Sequence, residues 1–185
     1  MGYRRLGWEM GQICRSLNDY RSGKCAYGGR RRHGGILITC GPTENIEKIS
    51  IEIRKAHSKE GERLRQCFEE NKETRFFNEN GYDERTLELY GIQKGTDGAS
   101  NFCDGYLTAI KRFILGVDKE DMGLESELGE DYITYGARHM AARHASRFGL
   151  LACALSEETG NITVFRDGLP VMVDSLRNPL ADCIA

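Results

Sequence analysis

Two short, largely apolar runs set the terms on which this chain can fold: Ile36-Leu37-Ile38-Thr39-Cys40, stopped by Gly41-Pro42, and Leu150 to Leu155. Each is too short for a core helix and is bounded by turn residues, so each reads as a short buried strand. Around them lie segments spaced for helices. Tyr3, Leu6, Met10, Ile13, Leu17 and Tyr20 recur at steps of three and four, one apolar face of a first helix that ends in the loop Tyr27-Gly28-Gly29. Glu84 to Tyr90 predicts a second helix ending at Gly91. Ala137, Ala141, Ala145 and Phe148 make a narrow stripe on a third, closed by Gly149. Further strands are expected at Gly98 to Phe102 and Tyr106 to Val117, joined by the hairpin turn Asp104-Gly105, and at Ile162 to Phe165 after the turn Glu158-Thr159-Gly160-Asn161. Residues 44–56 fit either period: Ile49, Ile51 and Ile53 alternate, while Ile46, Ile49, Ile53 and Ala56 fit a helix. Residues 55–75 read as an exposed, partly helical excursion, and the acidic run 118–131 as a solvated loop. Strands and helices mixed along 185 residues without an internal repeat predict a single α/β domain.

Composition narrows the class further. Apolar residues at 39% and charged residues at 29% exclude wholesale disorder. No run approaches the roughly 18 apolar residues of a membrane span, and no signal-peptide core is present, so a soluble, cytoplasmic protein with no membrane partner is expected. Residues 1–33 hold eight basic side chains against two acidic ones in a chain of net charge −2. Without interleaved aromatics or a binding motif, that basic end reads as a solvated face, not as a nucleic-acid interface. The seven cysteines are odd in number and contain no C-x-x-C, which predicts reduced thiols and no zinc site. His139 and His144 stand five apart, not the four of a zinc-protease helix.

Three clusters carry chemical potential. In Thr96-Asp97-Gly98-Ala99 a carboxylate stands at the entrance to a strand, where it can bind a divalent metal or polarise a hydroxyl, and glycine lets a ligand approach the backbone. In Gly136-Ala137-Arg138-His139-Met140, Arg138 and His139 open a helix whose free N–H groups favour an anion. Arg143, one turn on, is expected to share that face and to be placed to add a second cation. In Ser156-Glu157-Glu158-Thr159-Gly160, a hydroxyl and carboxylates gather at a strand end.

In this order, and with Arg32-His33-Gly34-Gly35-Ile36-Leu37 before them and Arg166-Asp167-Gly168 after, the clusters resemble the diadenylate cyclase domain. The resemblance implies a central mixed β-sheet flanked by helices over residues 30–175, preceded by a helix and Gly-rich loop (1–29) and followed by a tail (176–185). It implies condensation of two ATP molecules into cyclic di-AMP and two pyrophosphates, with Mg²⁺ or Mn²⁺, across a face-to-face homodimer or a higher homo-oligomer. By the same likeness Asp97 acts with the metal on the 3′-hydroxyl, and Gly98 and Ala99 pass close to the nucleoside. Arg138 and His139 hold the triphosphate, Ser156 meets terminal phosphate oxygens, and Glu158 acts on the metal. Two positions depart from the pattern. Thr96 stands where the family often has a metal-binding histidine, and Met140 where it has a second arginine. These departures imply an alternative, a catalytically inactive nucleotide or cyclic-dinucleotide sensor of the same fold. The first helix is a candidate regulatory or assembly element.

Overall fold

Every residue of the strand Ile36–Cys40 (β1) is buried, and a strand closed on both sides needs a layer on each face of its sheet. The computed structural model describes residues 3–23, 35–53, 59–117, 136–157 and 159–174. Within them the chain runs α1 (Tyr3–Arg21), β1, α2 (Thr43–Ile49), β2 (Ser50–Glu52), α3 (Lys59–Glu70), β3 (Phe77–Asn78), β4 (Gly81–Tyr82), α4 (Arg85–Gln93), β5 (Ala99–Cys103), β6 (Tyr106–Ile114), α5 (Ala137–Ser146), β7 (Leu151–Leu155), β8 (Ile162–Arg166) and β9 (Leu169–Asp174). Seven of the described strands form one mixed sheet in the order β2-β6-β5-β1-β7-β8-β9, with β3 and β4 a separate small hairpin. β1 pairs parallel to β5 and antiparallel to β7. The mixed α/β fold expected from the sequence is the fold observed.

Alternation along β1 divides the core. Ile36, Ile38 and Cys40 join one apolar cluster with side chains of α1, α3 and α4. Leu37 belongs to the other, with Ile46 and Ile49 of α2 and Ala142 and Ala145 of α5. The small residues of α5 let it lie close on β7, β1 and β8.

α1 is part of this core. Leu6, Met10, Ile13, Leu17 and Tyr20 are buried along one side of it. Its Glu9, only 1% exposed, accepts a hydrogen bond from the Gly105 N–H (2.6 Å) and another from the Cys40 thiol (3.1 Å). Burial first, then the Glu9 carboxylate, hold that thiol well above the usual cysteine range, so it stays protonated and inert. Ser16 shares a hydrogen bond with the Tyr90 hydroxyl (2.9 Å), and Arg21 donates to the Gly160 carbonyl (2.9 Å).

Asp104 and Gly105, with φ of 58° and 87°, turn β5 into β6, and Asp167 and Gly168, at 52° and 79°, turn β8 into β9. Positive φ at both central residues is the two-residue hairpin geometry that Asp-Gly favours. β9 lies beyond the strands expected from the sequence. It closes one edge of the sheet, with Leu169, Val171 and Val173 each at least half exposed. The cysteines of the described residues are free thiols, as expected, and no described helix is long and apolar enough to cross a membrane.

Candidate active site

Strand directions bring the three clusters to one end of the sheet. Ile38 pairs with Ser100, so the parallel strands β1 and β5 begin side by side, and Gly98 stands level with Ile36. Ile36 pairs with Leu155 at the end of β7, which places Ser156 at that same end. The start of α5 reaches it as well. The Arg138 side chain lies so close over Gly35 that a Cβ there would sit 2.7 Å from its Cδ, and its guanidinium stands 3.7 Å from the Glu157 carboxylate. Gly35 is thus a seat for Arg138, a role the sequence alone does not reveal.

Asp97 is positioned by the end of α4. Gln93 donates to the Leu37 carbonyl (2.8 Å) and so pins that end to β1. Thr96, buried, turns its hydroxyl back onto the Gln93 carbonyl (2.9 Å). Asp97 follows on the surface, with no hydrogen bond or ion pair to any described residue. Gly98 adopts φ +96°, and a Cβ there would meet the Lys111 carbonyl carbon at 2.8 Å. Its lack of a side chain serves the close approach of β6. Ala99 is buried against the α2 and α5 side of the core.

On α5, the ring of His139 meets Phe165 edge-on, with centroids 6.3 Å apart. Burial lowers its pKa from the ordinary histidine value, so the imidazole is neutral at neutral pH. Met140 packs against the α5 core cluster. Arg143 does not join Arg138. It is buried, and its Nε donates to the Gly168 carbonyl (2.9 Å), where Ser146 also accepts from the Gly168 N–H (2.9 Å). The expectation of a second phosphate-facing cation at this position is therefore corrected: Arg143 clasps the β8–β9 turn.

Ser156 caps the β7–β8 turn, its Oγ accepting from the Thr159 N–H (3.2 Å) and its N–H donating to Asn161 (2.8 Å). Glu158 lies outside the described residues. On β6, Arg112 donates to the Ser50 hydroxyl and carbonyl (both 2.9 Å), and the backbone of the neighbouring Lys111 lies against Gly98.

Among the described residues no group of three acidic, histidine or cysteine side chains is gathered to hold a cation unaided. Asp97 offers one open carboxylate, which suits Mg²⁺ bound through one or two carboxylates together with substrate phosphates. Arg138, over Gly35 at the same end of the sheet, offers a guanidinium of the kind that grips carboxylate or phosphate oxygens.

No family model and no curated protein matches the chain. Among solved structures it is similar to a double mutant of DacA from Staphylococcus aureus, at 19% identity over 89% of this chain and 85% of that one, with a TM-score of 0.44.

Proposed function

We propose that this chain binds ATP at the sheet end formed by β5, β1 and β7, and that two copies placed face to face condense two ATP molecules into cyclic di-AMP. The supporting observation is convergence. Asp97-Gly98, Arg138-His139 and Ser156-Glu157 are far apart in sequence, yet strand order and the seat of Arg138 on Gly35 gather them at one end.

In this reading each 3′-hydroxyl attacks the α-phosphorus of the nucleotide opposite. A P–O bond forms, the bond to pyrophosphate breaks, and the hydroxyl proton passes to solvent water. Asp97 accepts the hydrogen bond of the 3′-hydroxyl and orients it. Arg138 exchanges its 3.7 Å contact with Glu157 for bidentate contact with phosphate oxygens, offsetting the charge that grows on the leaving group. His139 donates to phosphate as a neutral imidazole, and the Ser156 hydroxyl meets the terminal phosphate. Asp97 and Glu158 would hold Mg²⁺ or Mn²⁺ together with the phosphates, and the ion would supply further charge neutralisation.

Incubation with ATP and either metal, read by mass spectrometry, tests the reading. Cyclic di-AMP and pyrophosphate are expected, with product falling at least a hundredfold in Asp97→Asn. One observation favours a silent nucleotide sensor instead: the Thr96 hydroxyl is committed inward. Folded, paired protein that binds ATP and leaves it intact with both metals would decide for the sensor.

A further inference from the structure

Arg21 ends α1 as a buried cation, only 6% exposed. Its Nε donates to Asn18 Oδ1 (3.0 Å), one turn back on the same helix. Its Nη1 donates to the Gly160 carbonyl (2.9 Å), 139 residues further along the chain. A cation near a helix C-terminus helps the helix from the surface too, and taking a guanidinium out of water is costly. The helix alone therefore does not call for this burial. Docking of α1 does not call for it either, since Leu6, Met10, Ile13, Leu17 and Tyr20 already bury its apolar face.

The turn that Arg21 reaches is closed without it. Between β7 and β8 the Gly160 N–H donates to the Ser156 carbonyl (3.1 Å) and the Ser156 N–H to the Asn161 carbonyl (2.8 Å). The Thr159 N–H donates to the Ser156 Oγ (3.2 Å). All three bonds are internal to the turn and fix its shape. The bond from Arg21 does something else: it ties the turn to a helix packed on the sheet, and so fixes where the turn stands over the sheet end. Ser156 is the residue that gains from a fixed place. Its Oγ accepts from Thr159, while its own hydroxyl proton has no acceptor among the described residues, which leaves that proton to donate to a ligand. A hydrogen bond weakens steeply once its donor is misplaced, so a donor on a turn needs support from a rigid element.

We propose that Arg21 is a positioning residue of this site: by holding Gly160 it sets the Ser156 hydroxyl where it meets the terminal phosphate of the bound nucleotide. This rests on the nucleotide reading above. It also gives α1 a task at the site, exerted through the β7–β8 turn.

Calorimetric titration with AMP, ADP and ATP, without divalent metal so that nothing turns over, is the test. Arg21→Met keeps an unbranched side chain in the core and removes the donor. In that variant the gain in affinity from ADP to ATP should shrink about tenfold, the scale of one hydrogen bond to a charged group, while AMP affinity holds. Ser156→Ala should show the same loss, and Arg21→Met should add little in that background, because both changes remove one contact. Asn18→Ala, which frees the guanidinium from its anchor on α1, serves if Arg21→Met does not fold, with a smaller loss in the same direction. An unchanged gain in the folded variant overturns the proposal, as does full additivity with Ser156→Ala. An equal fall in all three affinities also overturns it and marks Arg21 as structural only. The two readings part cleanly. Wild-type protein that binds none of the three nucleotides sinks the nucleotide reading and this proposal with it, whereas wild-type binding whose ADP-to-ATP gain survives in the variant sinks the role of Arg21 alone.

Discussion

Arg138 and Arg143 stand five residues apart on α5, a rotation of about 140° around a helix, and their tasks diverge accordingly. Arg138 lies over Gly35 at the sheet end, whereas Arg143 is sealed against the β8–β9 turn. Spacing from His139 suggests a shared face, but it is blind to the sheet beneath, which decides whether a cation on that face meets solvent or a carbonyl. Lys111, in the bulge of β6 opposite Ser100, shows the converse: nothing in its local sequence marks a bulge, because the extra residue exists only relative to β5. His139 between them gives a prediction in pH. Its folded pKa lies below the ordinary histidine value near 6.5. The unfolded chain therefore binds more protons as pH falls through that value, and stability falls with it. The melting midpoint should drop between pH 7 and 5, and His139→Gln should flatten that slope. Asp83, held below the usual carboxylate range chiefly by its hydrogen bonds from Arg85, titrates at lower pH and does not interfere. An unchanged slope in His139→Gln would remove His139 as its source.

At the scale of elements, α1 is the clearest case of pattern and packing agreeing. The three- and four-residue spacing of its apolar residues matches the face it buries, and Leu17, in its C-terminal half, has no exposure. Truncating Leu17 to alanine should cost about 2–5 kcal/mol in urea unfolding, as for other buried leucines. Deleting residues 1–23 should abolish cooperative unfolding altogether, since Glu9 and six buried apolar side chains, Cys14 among them, go with them. A deletion variant that still unfolds cooperatively would show that the core does not need this helix. Elsewhere the pattern was mixed. Residues 44–56 satisfy both periods because both are present: a helix to Ile49, then a strand from Ser50. α4 runs through Gly91 to Gln93 because Ile92 and Gln93 are buried, and burial outweighs the modest helix penalty of one glycine. β9 is not legible in the sequence because Pro170 discourages a strand, yet an edge strand tolerates the missing N–H. The site followed the same logic. Its clusters were readable as chemistry, but their meeting depended on strand order, which local sequence does not encode.

For the whole molecule, the proposed reaction needs two nucleotides presented by two copies of the chain. Turnover per mole of protein should therefore rise with concentration and level off where sedimentation shows pairing complete. Constant specific activity down to dilutions at which the chain is alone would remove the face-to-face arrangement. The position of β1 has a consequence for synthesis as well. Ile38 pairs with Ser100 on one side and Cys153 on the other. A ribosome adding about 5–20 residues per second makes this strand wait on the order of ten seconds for its second neighbour. Through that interval its apolar run has only part of its shelter, so the hazard of misassociation should be greatest for nascent chains stalled before β7 and should end abruptly once that strand emerges.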